Sequence, residues 1–166
     1  MLYVFIITFV CFPGVSFDTS LKMLAGLDSA QSWFIVILNT IFSIADTIGR
    51  KMGGMKAFDL EASGIKILSV LRTLFIGTFY LIAFDVQPSW LFPSDWFKIT
   101  NIFLFAFTNG YASTLCACKA PGTVPPDERG QVGGFIGTTI TFGILIGSII
   151  AFAETPILKL TPGFGT

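Results

Sequence analysis

The stretch that decides the fold is residues 105–152, FAFTNGYASTLCACKAPGTVPPDERGQVGGFIGTTITFGILIGSIIAF. It contains two apolar segments of about 20 residues, joined by a polar, proline-containing linker at residues 119–129. A helix rises about 1.5 Å per residue, so each segment is long enough to cross the roughly 30 Å hydrocarbon core of a bilayer. The pattern therefore predicts a pair of transmembrane helices.

The composition of the whole chain agrees with a membrane protein. Hydrophobic residues make up 53% of the sequence and charged residues 12%, with a mean hydropathy of +0.79. Soluble domains carry about 25% charged residues. The formal net charge is zero and no basic run is present, which argues against a nucleic-acid partner.

The residue inventory also argues against an enzyme. Histidine is absent, which removes the most frequent general base and metal ligand. No Ser/His/Asp set, catalytic carboxylate pair or metal-ligand spacing occurs, so we expect neither a metal nor a cofactor. Cys11, Cys116 and Cys118 fall in apolar segments and are interpreted as inert small residues.

Hydropathy along the chain predicts one all-α integral membrane domain, residues 1–166, built as a bundle of five transmembrane helices. An amphipathic stretch at residues 18–28 predicts a short helix in the membrane interface. Pro13 predicts a bend near the end of the first span, for which a cleaved signal peptide or a missing upstream segment is the alternative. The five spans are expected at residues 1–17, 33–50, 65–84, 96–118 and 130–152.

The distribution of basic residues predicts the orientation. With five spans, alternate loops place six cations on one face and three on the other. The positive-inside rule makes the richer face cytoplasmic, or matrix-side in an organelle, with the N-terminus on that side. Trp33, Trp90 and Trp96 fall near the opposite interface. The richer face carries Arg50, Lys51, Lys56, Lys66, Lys119 and Arg129, and the other carries Lys22, Lys98 and Lys159.

A polar stripe runs along the second predicted span. Its members are spaced 4, 3 and 4 residues apart, which places them on one face of a helix. An ionised side chain at mid-bilayer costs about 2.5–3.5 kcal/mol, so this face must contact other helices, a water-filled cavity or a partner protein. The stripe consists of Asn39, Ser43, Asp46 and Arg50.

Arg72 is a second costly group, on the third span. Because that span enters the membrane where the second one leaves it, Arg72 and Asp46 should lie at similar depth. We therefore predict that Asp46 and Arg72 form an ion pair, directly or through the Asp46–Arg50 couple. Two interpretations of the stripe stay open: hydrogen-bonding groups for a polar solute, or a buried ion pair that fixes helix register.

Other polar and small residues interrupt the apolar spans. Asn109 in the fourth span is interpreted either as an interhelical hydrogen-bonding residue or as a solute contact. The fifth span contains three Gly-x-x-x-Gly pairs, a spacing that lets helix backbones approach closely. A phosphate-binding loop is excluded because no Gly-Lys-Ser/Thr sequence follows. The glycines predicted to pack against another helix are Gly130, Gly134, Gly137, Gly143 and Gly147.

Several of these motifs resemble the equilibrative nucleoside transporter family. The segment TNGYASTLCACKAP followed by VPPDERGQVGGFIG is similar to that family's late helices. FSIADTIGR, residues 42–50, resembles its Asn-x-x-Asp-x-x-Gly-Arg helix end, and FIITFVCFPGV resembles the helix that opens its C-terminal half. Arg72 stands where the family tends to keep an arginine. The motifs follow the family's order over nearly the whole chain.

The resemblance implies a major-facilitator-like fold and a nucleoside site. The family has eleven spans, and this chain would supply the C-terminal five. By resemblance, Asp46 and Arg50 contact sugar hydroxyls, and Ser43, Asn39 and Asn109 extend the site. Ser43 stands where the family usually has asparagine, which shortens one polar arm, and Gly77 stands where it often has proline.

A five-helix half leaves its polar stripe uncovered, which predicts an obligate protein partner over the Asn39/Ser43/Asp46/Arg50 face. The first functional hypothesis is a half-transporter, which allows facilitative nucleoside or nucleobase permeation once a partner supplies the missing helices. The second is a structural accessory subunit of a larger membrane complex that transports nothing. Besides that protein, the expected partners are the lipid bilayer and a nucleoside.

Overall fold

The computed structural model describes residues 1–14, 30–84 and 94–160. The predicted interfacial helix at residues 18–28 lies outside these ranges. Within them the regular structure is entirely helical, with short 3₁₀ turns at the ends of several α-helices. The α-helices are α1 (Leu2–Phe9), α2 (Ala30–Gly53), α3 (Ala62–Leu71), α4 (Leu74–Ala83), α5 (Asp95–Lys119) and α6 (Val132–Lys159).

Three segments of the described chain are long and apolar enough to cross a membrane: Trp33–Gly53, Ala62–Ala83 and Arg129–Glu154. The apolar segment Leu2–Phe12 is shorter. The helix α5 has 25 residues, or about 37 Å, but it carries more polar side chains. Several of these, including Lys98, Asn101 and Ser113, are buried. The molecule is an all-α membrane bundle, and the number of five spans stays a prediction.

The predicted third span, residues 65–84, is divided into α3 and α4 at Arg72 and Thr73. Here the amide of Thr73 donates to Val70 O at 2.9 Å, and the amide of Phe75 donates to Arg72 O at 3.1 Å. These three-residue bonds tighten the helix at the break. The tightened turn is where the Arg72 side chain enters the core, with 1% of its surface exposed.

The pair α2 and α5 forms the closest helix contact. A Cβ added to Gly49 would lie under 3.0 Å from the backbone of α5 at Tyr111, and one added to Gly110 would lie under 3.0 Å from α2 at Arg50. Gly53 would meet Tyr111 O at 2.8 Å. Glycine on both helices therefore lets the two backbones touch. These glycines are not among those predicted from the sequence to pack against another helix.

The helix α6 packs against α1 through only part of its predicted glycine surface. A Cβ on Gly143 would meet Phe5 Cβ at 2.7 Å, and one on Gly147 would meet Ile6 O at 2.7 Å. In contrast, a Cβ added to Gly130, Gly134 or Gly137 would meet no other described part of the chain within 4 Å. Gly143 and Gly147 thus contact another helix within the described chain, and for the other three glycines the helix contact stays a prediction. Gly130 precedes α6, in the 3₁₀ turn Arg129–Gln131, and Gly134 and Gly137 lie on a different face of α6 from the one that α1 covers.

The core is aromatic and lies where α1, α2, α4 and α5 meet. The Phe105 side chain is fully buried and makes edge-on ring contacts with Phe75 and Phe79, with centroids 5.3 and 5.1 Å apart. Phe12 leaves helical geometry (φ −136°, ψ 124°) because the residue before a proline disfavours the helical region. This bend stacks Phe12 on Phe42 of α2, with ring centroids 4.6 Å apart.

Candidate functional site

The polar stripe of α2 borders a cleft of about 440 Å³ between α1, α2, α5 and α6. Asn39, Asp46 and Arg50 line it from α2, and Asn109 lines it from α5. Ser43, the fourth predicted member of the stripe, is exposed and does not line the cleft. The structure therefore brings together four of the five residues that the resemblance assigned to solute binding.

Asp46 holds the centre of this cluster with both carboxylate oxygens. Arg50 Nε donates to Asp46 Oδ2 at 2.6 Å, one helical turn away on the same helix. Asn109 Nδ2 donates to Asp46 Oδ1 at 2.8 Å from the neighbouring helix. The close backbone contact at Gly49 and Gly110 is what brings the two side chains within reach.

Asn109 is buried and bonded on both sides. Its Oδ1 accepts from Thr8 Oγ1 of α1 at 2.7 Å. A carboxylate can only accept, so the amide nitrogen of Asn109 must face Asp46 and its oxygen must face Thr8. The Thr8 hydroxyl also lies 2.7 Å from Val4 O and shares its single hydrogen between the two acceptors. Thr8 thus links α1 to the orientation of the Asn109 amide.

Arg72 completes the network from the break between α3 and α4. Its Nη1 donates to Phe105 O at 2.8 Å and to Thr108 Oγ1, and its Nη2 donates to Thr8 Oγ1 at 2.8 Å. The guanidinium carbon lies 4.7 Å from the centroid of the Phe105 ring. This buried cation is held by a carbonyl, two hydroxyls and an aromatic face.

The predicted direct ion pair between Asp46 and Arg72 is not formed. Thr8 and Asn109 lie between them, so the order of contacts is Arg50, Asp46, Asn109, Thr8, Arg72. The sequence placed both ionisable groups at similar depth but did not show that two neutral side chains separate them. Thr8 and Thr108 were missed as members of the network, since threonines are unremarkable in an apolar helix.

The cleft combines this polar edge with aromatic and aliphatic walls. The remaining surface is lined by Phe5 and Phe9 of α1, Phe12 shortly after α1, Phe42 of α2 and Ile144 of α6. Its volume lies in the range of about 300–1,000 Å³ typical of small-molecule sites. Among the described residues, no cluster of three or more His, Cys, Asp or Glu side chains could hold a metal ion. The site can offer a carboxylate, a guanidinium and an amide beside flat apolar surfaces.

Arg50 is the most accessible polar group of the cleft. About half of its side-chain surface (49%) is exposed, compared with 14% for Asp46. Only its Nε bonds to Asp46, so the terminal nitrogens can still donate to a bound molecule. Asn39 is exposed as well, and its Nδ2 donates to Ile35 O at 3.0 Å, which leaves the amide oxygen as an acceptor.

The chain is similar to known transporters along most of its length. The family profile described as "Nucleoside transporter" matches residues 1–154. Equilibrative nucleoside transporter 2 of Homo sapiens is 29% identical over 161 residues, which cover 95% of this chain and 35% of that protein. Equilibrative nucleoside transporter 4 of Danio rerio is 26% identical over 151 residues, covering 90% of this chain and 27% of that protein.

A plant relative extends the same pattern. Equilibrative nucleotide transporter 8 of Arabidopsis thaliana is 26% identical over 152 residues, which cover 92% of this chain and 37% of that protein. The chain therefore spans about a third of the length of these curated relatives. No solved structure matches it.

The relatives are transporters, which agrees with the prediction that this protein is not an enzyme. The apolar helices and the family match together make the chain an integral membrane protein that belongs to the nucleoside transporter family.

Proposed function

We propose that this chain is a half-module that lets a nucleoside or nucleobase pass a membrane down its gradient once a partner supplies the missing helices. The observation that carries this proposal is the cleft, in which Asp46, Arg50 and Asn109 meet beside aromatic walls. A ribose presents neighbouring hydroxyls that can donate to a carboxylate and accept from a guanidinium. A planar base fits against Phe42 or Phe12 by ring stacking.

The second support is that Arg50, at the polar edge of the cleft, is held weakly enough to exchange its hydrogen bond for one to a solute. Arg50 is half exposed and needs to give up only one hydrogen bond to rotate toward a solute. Asp46, in contrast, is held by α5 through Asn109, which fixes the carboxylate in the cleft. Transport requires binding that is favourable but readily released, and an exposed arginine beside an anchored acid meets that requirement.

The partner is proposed from the surfaces that this chain leaves open. Asn39, Ser43 and Arg50 are exposed, and a Cβ added to any of three glycines at or just before the start of α6 would meet nothing within 4 Å among the described residues. Ile144, which lines the cleft, lies seven residues after Gly137 and thus on the same side of α6. One partner could therefore close the cleft and pack on the glycines together, which explains why both surfaces are uncovered.

We also propose that the N-terminus lies on the cytoplasmic or matrix side. Met1, Ala62, Lys119 and Val132 surround one cavity, so the starts of α1, α3 and α6 and the end of α5 share one end of the bundle. Most basic residues of the sequence belong to this end. The excess of cations supports the cytoplasmic assignment by the positive-inside rule.

The alternative, a structural subunit without transport, has its own supporting observation. Asp46, Asn109, Thr8 and Arg72 form one continuous chain of hydrogen bonds within the protein. Such a chain of contacts can serve to fix the register of α1, α2 and α5 without binding a solute. In that case the cleft would be a by-product of helix packing, and the partner would be part of a larger assembly.

The experiment is uridine uptake into proteoliposomes that contain the chain together with the proteins that co-purify in mild detergent. We expect saturable uptake that Asp46→Asn lowers about tenfold or more, because a hydrogen bond to a charged group contributes about 1.5–3 kcal/mol. The matched control is Asp59→Asn, which breaks the surface ion pair with Lys119 and should leave uptake unchanged.

Two results would contradict the transport proposal. Equal uptake by the parent protein and Asp46→Asn would show that the transported solute does not bind in the cleft. Absence of uptake from a stable complex whose assembly is disrupted by Asp46→Asn would favour the structural subunit. A stable, solitary monomer with the α2 stripe against lipid would contradict the need for a partner in both hypotheses.

A further inference from the structure

A second cavity of about 480 Å³, here called the groove, lies at the end of the bundle that carries most of the basic residues. It is bounded by the start of α3, the end of α5 and the first two turns of α6. It shares no lining residue with the cleft. The groove forms because α6 packs closely on α1 only at Gly143 and Gly147, two to three turns further along the helix.

The walls of the groove are mainly apolar. Ile65 and Val132 are buried, whereas Phe135 is exposed over 68% of its surface, so the groove opens on the side of the molecule. In a bilayer this opening faces acyl chains rather than water, at the depth of the first turns of α6. An apolar groove at that depth is filled by hydrocarbon, either from a lipid or from another protein.

The two charged side chains that line the groove, Lys66 and Lys119, are both cationic. Lys119 forms an ion pair with Asp59, with Nζ 2.8 Å from Oδ1, so part of its charge is neutralised. Lys66 is exposed and forms no ion pair among the described residues. The nearby acids Asp59 and Glu61 do not line the groove. An occupant with an anionic head and an apolar tail therefore matches both the charge and the walls.

We propose that the groove binds an anionic glycerophospholipid, with the phosphate at Lys66 and Lys119 and an acyl chain along Ile65 and Phe135. Basic pockets between helices on the cytoplasmic side of a membrane favour such headgroups. Free phosphate would leave the apolar walls unused. A second copy of this chain would bring another cationic groove to the same place, and like charges would oppose each other.

The test uses the full chain in nanodiscs of phosphatidylcholine, with or without phosphatidylglycerol. Native mass spectrometry counts the lipids that stay bound. Cys116 lines the groove and reports occupancy through its rate of maleimide modification in a Cys118→Ser background, because Cys11 is buried. We expect phosphatidylglycerol to be retained in preference to phosphatidylcholine and to slow the modification of Cys116.

Lys66→Gln should lower the preference for phosphatidylglycerol about fivefold, as expected for one lysine near an anionic surface. Lys56→Gln is the matched control, since Lys56 is an exposed lysine ten residues before Lys66 that does not line the groove. Both positions are exposed, so neither substitution should prevent folding.

Four outcomes would overturn the proposal. Equal retention of the two lipids would show that the groove does not select an anionic headgroup. The same conclusion would follow if Lys66→Gln and Lys56→Gln lowered the preference for phosphatidylglycerol equally. Protection of Cys116 by inorganic phosphate as strong as that by phosphatidylglycerol would indicate an anion site without a lipid. Protection that rises with protein density in the nanodisc would assign the groove to a second copy. The proposal does not depend on nucleoside transport.

Discussion

The α2–α5 interface and the first half of α6 are both rich in glycine, but they have opposite surroundings. At Gly49 and Gly110 any added carbon would collide with the backbone of the facing helix, whereas a carbon added at Gly134, at Gly137 or at Gly130 just before α6 would meet nothing within 4 Å among the described residues. The first pair therefore holds the bundle together within this chain. The second set presents a surface of small residues to whatever lies outside it.

The comparison shows that glycine spacing alone does not identify a helix contact. The pair Gly49 and Gly53 has the same four-residue separation as Gly130 and Gly134, yet only the former touches another helix in the described chain. The polar network follows the contact: Asp46 and Asn109 meet because the α2 and α5 backbones meet at Gly49 and Gly110. Close packing and the candidate site thus depend on the same few residues.

The largest effect is expected for Gly110→Ala. Its Cβ would collide with the α2 backbone at Arg50, and backbone atoms cannot rotate away. We expect a loss of stability at or above the roughly 3 kcal/mol typical of severe overpacking. Gly137→Ala is the matched control, because its Cβ meets nothing within 4 Å and alanine favours a helix by up to about 1 kcal/mol.

Thermal unfolding in detergent measures both variants. If Gly110→Ala and Gly137→Ala shift the midpoint equally, the contrast between a closed and an open glycine surface is wrong. A marked loss of stability in Gly137→Ala only when co-purifying proteins are present would instead show that a partner covers the open surface.

A smaller but substantial effect is expected for Arg72→Lys. The guanidinium contacts α5 and α1 at the same time, and an ammonium group cannot reach Phe105 O and Thr8 Oγ1 together. Loss of one hydrogen bond from a charged group costs about 1.5–3 kcal/mol. Arg50→Lys, at the exposed end of the same network, is expected to cost less than about 1 kcal/mol. Denaturation midpoints of the two variants compare the contribution of the buried cation to stability with that of the exposed one.

The smallest of the three effects is expected for Thr8→Val, which keeps the shape of the side chain and removes the hydroxyl. Asn109 Oδ1 and Arg72 Nη2 each lose one partner. Because the Thr8 hydrogen is shared with Val4 O and Arg72 keeps both bonds of its Nη1, we expect a total cost at the lower end of about 1–3 kcal/mol. Thr8→Ser retains the hydroxyl and should recover most of the loss. The comparison of these two variants by thermal unfolding separates the hydrogen bond from packing, and equal values would contradict a role for the hydroxyl.

The sequence predicted a large part of this site. Helical spacing placed Asp46 and Arg50 on one face, and their ion pair is observed. Arg72 was predicted to pair with Asp46, and it is instead linked to Asp46 through Thr8 and Asn109. Thr8 could not be predicted, because its role depends on α1 lying beside α5, about a hundred residues later in the chain. The break at Arg72 and Thr73 was missed because no proline or glycine marks it.

The sequence by itself determined that the chain is a helical membrane protein and which polar residues share a helix face, because hydropathy and helical periodicity are local properties. Only the tertiary structure decided which of those faces meet. It placed Thr8 and Asn109 between Asp46 and Arg72. It also brought the glycines of α2 and α5 into contact with a facing helix, whereas those near the start of α6 contact no other helix among the described residues. The physical reason is that helix rotation and contact are set by packing between distant segments, where a shift of one residue turns a helix by about 100° and exchanges the buried face for another.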